Sequence, residues 1–373
     1  MINSLIEIHM IQNHCPANLN RDDLGAPKSC YFGGVLRSRI SSQCIKRSIR
    51  LSDDFKDVLG GIRTRRLAEL IQKSVTGKEV KKKAKDVLSK LGIKSGTAGA
   101  GTDMLVYTTE EAIAQMAALI KNEDMSVDDL IEPIASIIST QTQVPDMALC
   151  GRMLETGEIR NTTVEAALQV AHAISTHESR PEIDYYVAVD DVPGEDAGAG
   201  YLDEAMYASS CFYKYFSIDC GQLLHNLGGK EDLAAKTIGA FLLSAARTNP
   251  SGKQNSYAAH NYPEGILVEI KQRPFNYSNA FIEPVEYVKG ADIISSSIGK
   301  LSVYLHDISI GYYSHDSDRA MFWFSPNKRH PLDALTEGKD YTHIGVLEEL
   351  VSAIISSTGH NWDDVKNIKA YGE

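Results

Sequence analysis

Hydrophobic positions change period several times along the chain, and those changes divide it. Residues 2–11 (INSLIEIHMI) alternate imperfectly and end in polar residues, which predicts a partly buried strand. A helix follows near residue 41: Ser41 or Ser42 can cap it, and the next residues lack Gly and Pro. On a helical wheel Gln43, Lys46, Arg47 and Arg50 share one face, with Ile45 and Ile49 nearly opposite. From about residue 56 to 180 the pattern is helical. Leu67, Leu70, Ile71 and Val75 mark one stretch, and 110–121, 126–140 and 163–176 read as amphipathic helices. Residues 183–189 (IDYYVAV) and 212–219 (FYKYFSID) are strands. The segment between them is rich in Gly and Ala and broken by Pro193, too long for a tight turn, and predicts an extended loop at 190–211. A helix at 231–247 and a strand at 266–271 come next. Phe281, Ile293, Ile294 and Ile298 begin another helix, and 342–357 is an apolar one.

With residues 56–180 set aside, the order is strand, helix, strand, strand, helix, strand. That is the split βαβ or ferredoxin-like arrangement of an α+β fold. An antiparallel sheet backed by two helices buries one face and leaves the other open, the face on which such domains receive RNA.

Charge singles out one stretch. The 373 residues carry a formal net charge of −11, with ordinary hydrophobic (43%) and charged (23%) content for a soluble globular protein. A sequence pI near 5.5 argues against indiscriminate polyanion binding. Yet residues 20–50 hold Arg21, Lys28, Arg37, Arg39, Lys46, Arg47 and Arg50 against only Asp22 and Asp23. The helix beginning there offers backbone N–H groups and a Ser pair suited to phosphate. Phe32-Gly33-Gly34 upstream permits a sharp turn or a close backbone approach.

Other chemistry is thin. The first residues lack the features of a signal peptide, and no apolar run approaches the ~20 residues of a membrane span. Cys15, Cys30, Cys44, Cys150, Cys211 and Cys220 form no CxxC pair, which points to a reducing cytoplasm and against disulfides or zinc. His9 and His14-Cys15 lack a completing ligand set, so neither metal nor cofactor is expected. GTAGAGT at 96–102 is neither a P-loop nor GxGxxG and reads as a loop. Lys81, Lys82, Lys83 and Lys85 are a solvated face or a weak polyanion-steering patch. No Ser-His-Asp spacing, HExxH or nucleophile elbow occurs.

A set of motifs in fixed order carries a family resemblance. His9 on the first strand is followed by Asn18-Leu19-Asn20-Arg21-Asp22-Asp23, Phe32-Gly33-Gly34, Arg39-Ile40-Ser41-Ser42-Gln43 and Lys46-Arg47. Then come Asp146-Met147-Ala148-Leu149, Gly151-Arg152-Met153, Ala171 through His177, Val189-Asp190-Asp191 and Gly252-Lys253-Gln254-Asn255. To about residue 275 the chain resembles the CasC family of the RAMP superfamily, the repeated backbone subunit of Cascade, the type I-E CRISPR antiviral surveillance complex.

The resemblance implies an RRM-like palm (1–55 and 181–300), a helical fingers insertion (56–180), and a thumb at about 190–211 with Tyr201, Leu202 and Met206. A C-terminal segment (301–373) packs on the palm. It implies that Arg21, Lys28, Ser41, Gln43, Lys46 and Arg50 grip the guide RNA backbone. Lys253 and Gln254 are a second contact or a plain surface turn, and Met153 is a wedge beside the RNA or core filler. Classical RRM stacking aromatics are not recognisable. The implied partners are CRISPR RNA, target DNA through the guide, further copies of the chain, and the other Cascade subunits: large, small, guide-end capping and processing endoribonuclease. No membrane is implied.

Asp22 and Asp23 read as turn residues beside Arg21, and the family is non-catalytic. A rival reading is a RAMP-type endoribonuclease processing precursor RNA with His9 or His260 as general base. A third is an acidic metabolic domain.

Overall fold

The first strand, β1 (Leu5–Ala17), is buried on both sides for most of its length, and this sets the layering. The computed structural model describes residues 4–93, 105–154, 156, 159, 162–188, 201–313 and 319–369. Its other strands are β2 (Ser29–Phe32), β3 (Val35–Ile40), β4 (Gly61–Thr64), β5 (Val106–Thr109), β6 (Leu168–Val170) and β7 (Ala173–Ser175). β8 (Glu182–Ala188), β9 (Tyr201–Asp219), β10 (Gly265–Lys271), β11 (Ala320–Phe324) and β12 (Thr342–Ile344) complete the set. The main sheet runs β12–β11–β10–β1–β9–β7–β3–β2, antiparallel except for β11–β12, with β6 and β8 also paired to β9.

This is the expected α+β fold, with two differences. The strand beside residues 212–218 of β9 is β6 with β7 (Leu168↔Ile218, Ile174↔Tyr213), not residues 183–189. Residues 163–176 were expected to be a helix. The alternation Leu168-Gln169-Val170 is too short to show against the helical pattern before it. β8 pairs instead with the outer half of β9, from Glu182↔Tyr207 to Ala188↔Tyr201. Residues 201–211 of the expected loop are therefore strand. Its remaining part, 190–200, lies outside the described residues, as does the glycine-rich 96–102.

Alternation on β1 feeds two cores. Ile6, Ile8 and Met10 join Phe212, Phe216, Ile218 and Val268 under the Ser42–Arg50, Glu231–Arg247 and Leu347–Ser357 helices. Ile11, Tyr213, Tyr215, Leu267 and Trp323 on the opposite face pack with the Ile293–Tyr313 helix and the Tyr277–Phe281 turn. So the face expected to be open for RNA is covered along β1, β9 and β10. The C-terminal residues that seemed only to pack are what cover it. A separate cluster from Leu67 to Ile159 is the core of the helices between β4 and β7.

The covered face holds an ion network. Register places Glu7 directly opposite Glu269, and both are fully buried. Two like charges so placed are destabilising unless neutralised. The Lys271 ammonium does this from 2.7 Å to Glu7 and 3.0 Å to Glu269. Arg319 donates from Nε to Glu269 at 2.8 Å, and His9 Nε2 lies 3.1 Å from the same carboxylate. Tyr215 donates to Glu7, and Tyr213 OH sits 2.8 Å from His9 Nδ1. Glu7, His9 and Glu269 present three ligand atoms near one another, but the Lys271 ammonium already bridges the two carboxylates.

Burial pushes the Glu269 carboxyl up, but Lys271, His9 and Arg319 outweigh it and hold it well below the usual range. Burial holds His9 below its usual value despite Glu269. Both lowered groups take up protons more readily in the unfolded chain, so stability falls as pH drops below about 6.5, first through His9 and then through Glu269. Glu269→Gln, which strands the buried Arg319 and leaves Lys271 with Glu7 alone, should cost about 3–5 kcal/mol in urea denaturation at pH 7. A loss below about 1 kcal/mol, as expected of an exposed pair, would show that the network does not hold the sheet to its cover.

Candidate nucleic-acid interface

The basic stretch folds into a turn, a hairpin and a helix, and its cations part into two groups. The turn is closed by Asp22, whose carboxylate accepts from the amides of Leu24 and Ala26 at 2.9 Å each. Asp22 is thus a turn former. Asn18 donates to the carbonyls of Gly25 and Met206, fastening the turn to β9 where the β8–β9 hairpin leaves the sheet. At the β2–β3 turn Gly33 has φ +62, and a Cβ there would stand 1.7 Å from the Ile282 carbonyl oxygen. Arg37 secures the same junction, donating to the carbonyls of Phe32, Ser175, Phe281 and Ile282 with no exposed surface.

The helix Ser42–Arg50 is capped by Ser41, whose Oγ accepts from the Cys44 amide at 3.3 Å. Ile45 and Ile49 pin it to the sheet core. Its N-terminus is less open than the sequence suggests. The Ser42 amide donates to His172 Nδ1 at 3.2 Å, which leaves the Gln43 amide free in the first turn among the described residues. Burial, Arg39 and Lys28 keep the His172 imidazole below its usual pKa, so it stays the acceptor.

Arg50 departs most from expectation. It is buried, and it donates through Nε and Nη2 to Asp146 Oδ2 at 2.9 and 2.8 Å and to the Gly61 carbonyl at 3.2 Å. Asp146 also accepts from the Gly61 amide and from the Tyr107 hydroxyl. Burial works against the Arg50 charge, but Tyr107 and Asp146 raise its pKa above the usual value. Arg50 is therefore a structural cation that ties this helix to the helical unit. Arg152 is likewise spent, on the carbonyls of Thr162, Tyr107, Ile138 and Ser139.

The second group has no carboxylate partner among the described residues, although Arg39 donates to the Ser29 carbonyl and to His172 Nδ1. Arg21, Arg47 and Lys253 are exposed, and Lys28, Arg39 and Lys46 are half-buried. Among the described residues none of these six enters an ion pair, whereas Arg50, Arg247, Lys271 and Arg319 all do. A cleft lined by Arg21, Asp22, Asp23, Cys44, Arg47 and Ser251 separates turn and helix, with the Asp22 carboxylate taken up by the turn's own amides. It adjoins a small hollow bordered by Lys28, Ser38, Arg39 and Ser210. Gly252 allows the turn after the Glu231–Arg247 helix to close in, since a Cβ would meet the Leu19 carbonyl oxygen at 2.4 Å.

The remaining expected residues divide similarly. Gln43 is exposed, and Ser41 is buried at its cap. Lys253 is exposed with φ +51, but Gln254 closes its own turn by donating to Pro250 and Ala259. Met153 is 86% exposed, so it is not core filler, and Lys46 lies close enough to Cys150 to act on its thiol. Met206 is a half-buried strand residue paired with Ile183, and the side chains of Tyr201 and Leu202 lie outside the described residues. Arg47, Arg39 and His172 belong to the site although they were not in the expected contact set. Arg47 was legible on the helical wheel, but His172 was not, because its role depends on β7 standing next to β3.

Comparison with known proteins gives a family and a fold. A family model described as CT1975-like protein matches residues 6–353. One solved chain, from a "CRISPR RNA-guided surveillance complex, pre-nicking", is 26% identical with a TM-score of 0.81, covering 95% of this chain and 100% of that one. Another, from a "CRISPR RNA-guided surveillance complex", is 24% identical with a TM-score of 0.62, covering 95% and 99%, and speaks to the fold alone. No curated protein matches.

The division of cations makes a paired prediction. Arg50→Ala should lower stability by about 3–5 kcal/mol in urea, because it strands the buried Asp146. Arg47→Ala should change stability by no more than about 0.5 kcal/mol. Equal effects would remove the distinction between a structural and a free cation.

Proposed function

We propose, from the premise that the chain belongs to the CT1975-like protein family, that it is an RNA-binding backbone subunit of a CRISPR RNA-guided surveillance complex. Copies of it would assemble along one guide RNA and present the guide bases to target DNA. The solved chain at 26% identity comes from such a complex, and alignment over all of that chain supports the same role here. The resemblance to CasC extends the proposal to a type I-E Cascade and to its other subunits as partners.

The observation that carries the reading is the set of ion-pair-free cations around the cleft, Arg21, Lys28, Arg47 and Lys253, on a chain of net charge −11. Arg37, Arg50, Arg152, Arg247 and Arg319 are bonded to carboxylates or carbonyls, whereas these cations, clustered around one cleft, meet no carboxylate among the described residues and are suited to phosphate. Such contacts hold a strand without reading its sequence, which leaves the bases free for pairing with DNA. Lys46, on the same helix, and the exposed Met153, in the segment after the Pro145–Cys150 helix, would extend the strand's path toward the helical unit. The β8–β9 hairpin, with Ile183, Tyr185 and Val187 exposed, is the part of the palm available to a neighbouring copy.

The nuclease alternative loses its first candidate base. His9 is fully buried between Glu269 and Tyr213 and cannot meet an RNA 2′-hydroxyl. His260 is exposed, but among the described residues no side chain hydrogen-bonds or pairs with it to orient it as a base.

Lys28→Ala and Arg47→Ala should each weaken binding of single-stranded RNA about equally for all sequences. Each should also lower the log–log salt slope by roughly 0.7. In the same experiments RNA should remain intact with or without magnesium. A sequence-dependent loss, an unchanged slope, or cleavage that vanishes in His260→Ala would contradict the proposal.

A further inference from the structure

The small hollow beside the cleft is lined by a polar side chain whose bonds are unmade. His14 stands near the end of β1, opposite Ser210 on β9, with its ring edge-on to Phe212 at 5.8 Å. It is 1% exposed, and neither ring nitrogen meets a partner at hydrogen-bond geometry among the described residues, although the Ala259 carbonyl acts on the ring. Burial is the largest influence on the imidazole and brings its pKa down to about 3. The ring is therefore neutral, with one nitrogen to donate and one to accept. Buried polar atoms are ordinarily satisfied, and leaving them unmade is costly.

The hollow sets the size and chemistry of what would complete it. Its volume is about 20 Å³, which is room for one water-sized group and too little for a base or a whole phosphate. Ser210 on its wall donates its hydroxyl to Ser38 Oγ at 2.8 Å, so the Ser210 oxygen keeps lone pairs to offer. His14 and Ser210 together suit a group that both donates and accepts, as a hydroxyl does and an ionised phosphate oxygen does not. Lys28 and Arg39 border the same hollow, and it shares Leu19 and Asn20 with the cleft. In RNA each 2′-hydroxyl lies next to a backbone phosphate on the same ribose. A strand that sets a phosphate against Lys28 or Arg39 thus brings a hydroxyl to the hollow.

We propose that the hollow receives one ribose 2′-hydroxyl of the bound strand, bonded to His14 and Ser210, and so makes the cleft selective for RNA over DNA. The inference rests on the RNA-binding reading and adds a specificity to it. Cations hold the phosphates of either nucleic acid, whereas the 2′-hydroxyl tells them apart. A strand without that hydroxyl covers the hollow and leaves His14 unpaired, and sites built to bond a hydroxyl reject analogues that lack it.

The test compares the affinity of the full-length protein for an RNA of roughly ten nucleotides with that for the same sequence carrying 2′-fluoro ribose. The fluorinated strand keeps the phosphates and the RNA sugar pucker but has no hydroxyl to donate. Wild type should bind the RNA about tenfold more tightly, as expected for one or two hydrogen bonds. His14→Phe, which fills the same space against Phe212 without a polar atom, should bring that ratio to about twofold while keeping or raising the urea midpoint. Ser210→Ala should lower the ratio in the same direction, and it serves as the test if the phenylalanine variant does not fold. No preference in wild type, or the same ratio in wild type and folded variants, would mean a hollow filled by water alone. Either result would overturn the role of His14 and leave the RNA reading standing. Binding of neither strand by wild type would overturn both.

Discussion

The bond between Arg50 and Asp146 is the constraint on which the candidate site depends. It is buried, two-pronged, and extended through Gly61 and Tyr107 into the start of the helical unit. With Ile45 and Ile49 held by the sheet core, it leaves the Ser42–Arg50 helix one rotational setting. In that setting Arg47 faces the cleft and Lys46 faces the 145–153 segment. A buried pair of this kind adds little net stability over apolar packing, but it is intolerant of losing one partner. Its contribution is orientation: one arginine is spent so that its neighbours point outward.

A second constraint explains where RNA is not expected to lie. On the face along β1, β9 and β10, Tyr213 and Tyr215 sit where exposed aromatics would stack bases. Instead they bond to His9 and Glu7 beneath the Ile293–Tyr313 helix. On the proposed reading the recognition surface lies not on the sheet's face but at its rim, around the turn after β1, the β2–β3 hairpin and the turn at 250–258. Unpaired cations belong at such a rim, because water offsets their charge until a phosphate takes its place.

How much of this could be read from the chain follows from the range of each interaction. The Ser41 cap and the Ile45/Ile49 stripe depend on neighbours within one helix and were legible. So was the basic character of residues 20–50, and the motif order identified the family. The fate of each cation was not legible, because it depends on partners far away in sequence: Asp146 for Arg50, the carbonyls of Ser175 and Phe281 for Arg37. On the wheel Arg50 and Arg47 look alike. Covering of the second sheet face was hidden for a related reason, since residues 293–313 show apolar content but not which face they seal. The hairpin of β8 with β9 was hidden because Tyr201–Tyr207 becomes strand through pairing rather than through a clear alternation of its own.

The central claim is that guide RNA follows the cleft of free cations and not the sheet. Photo-crosslinking of the purified protein to an RNA carrying 4-thiouridine, followed by peptide mapping, tests it directly. The account predicts crosslinks in the peptides that hold Arg21 and Lys28, Gln43 through Arg47, and Lys253. Crosslinks confined to the Lys78–Lys90 helix or to the outer face of the Ile293–Tyr313 helix, with none at the cleft, would contradict it.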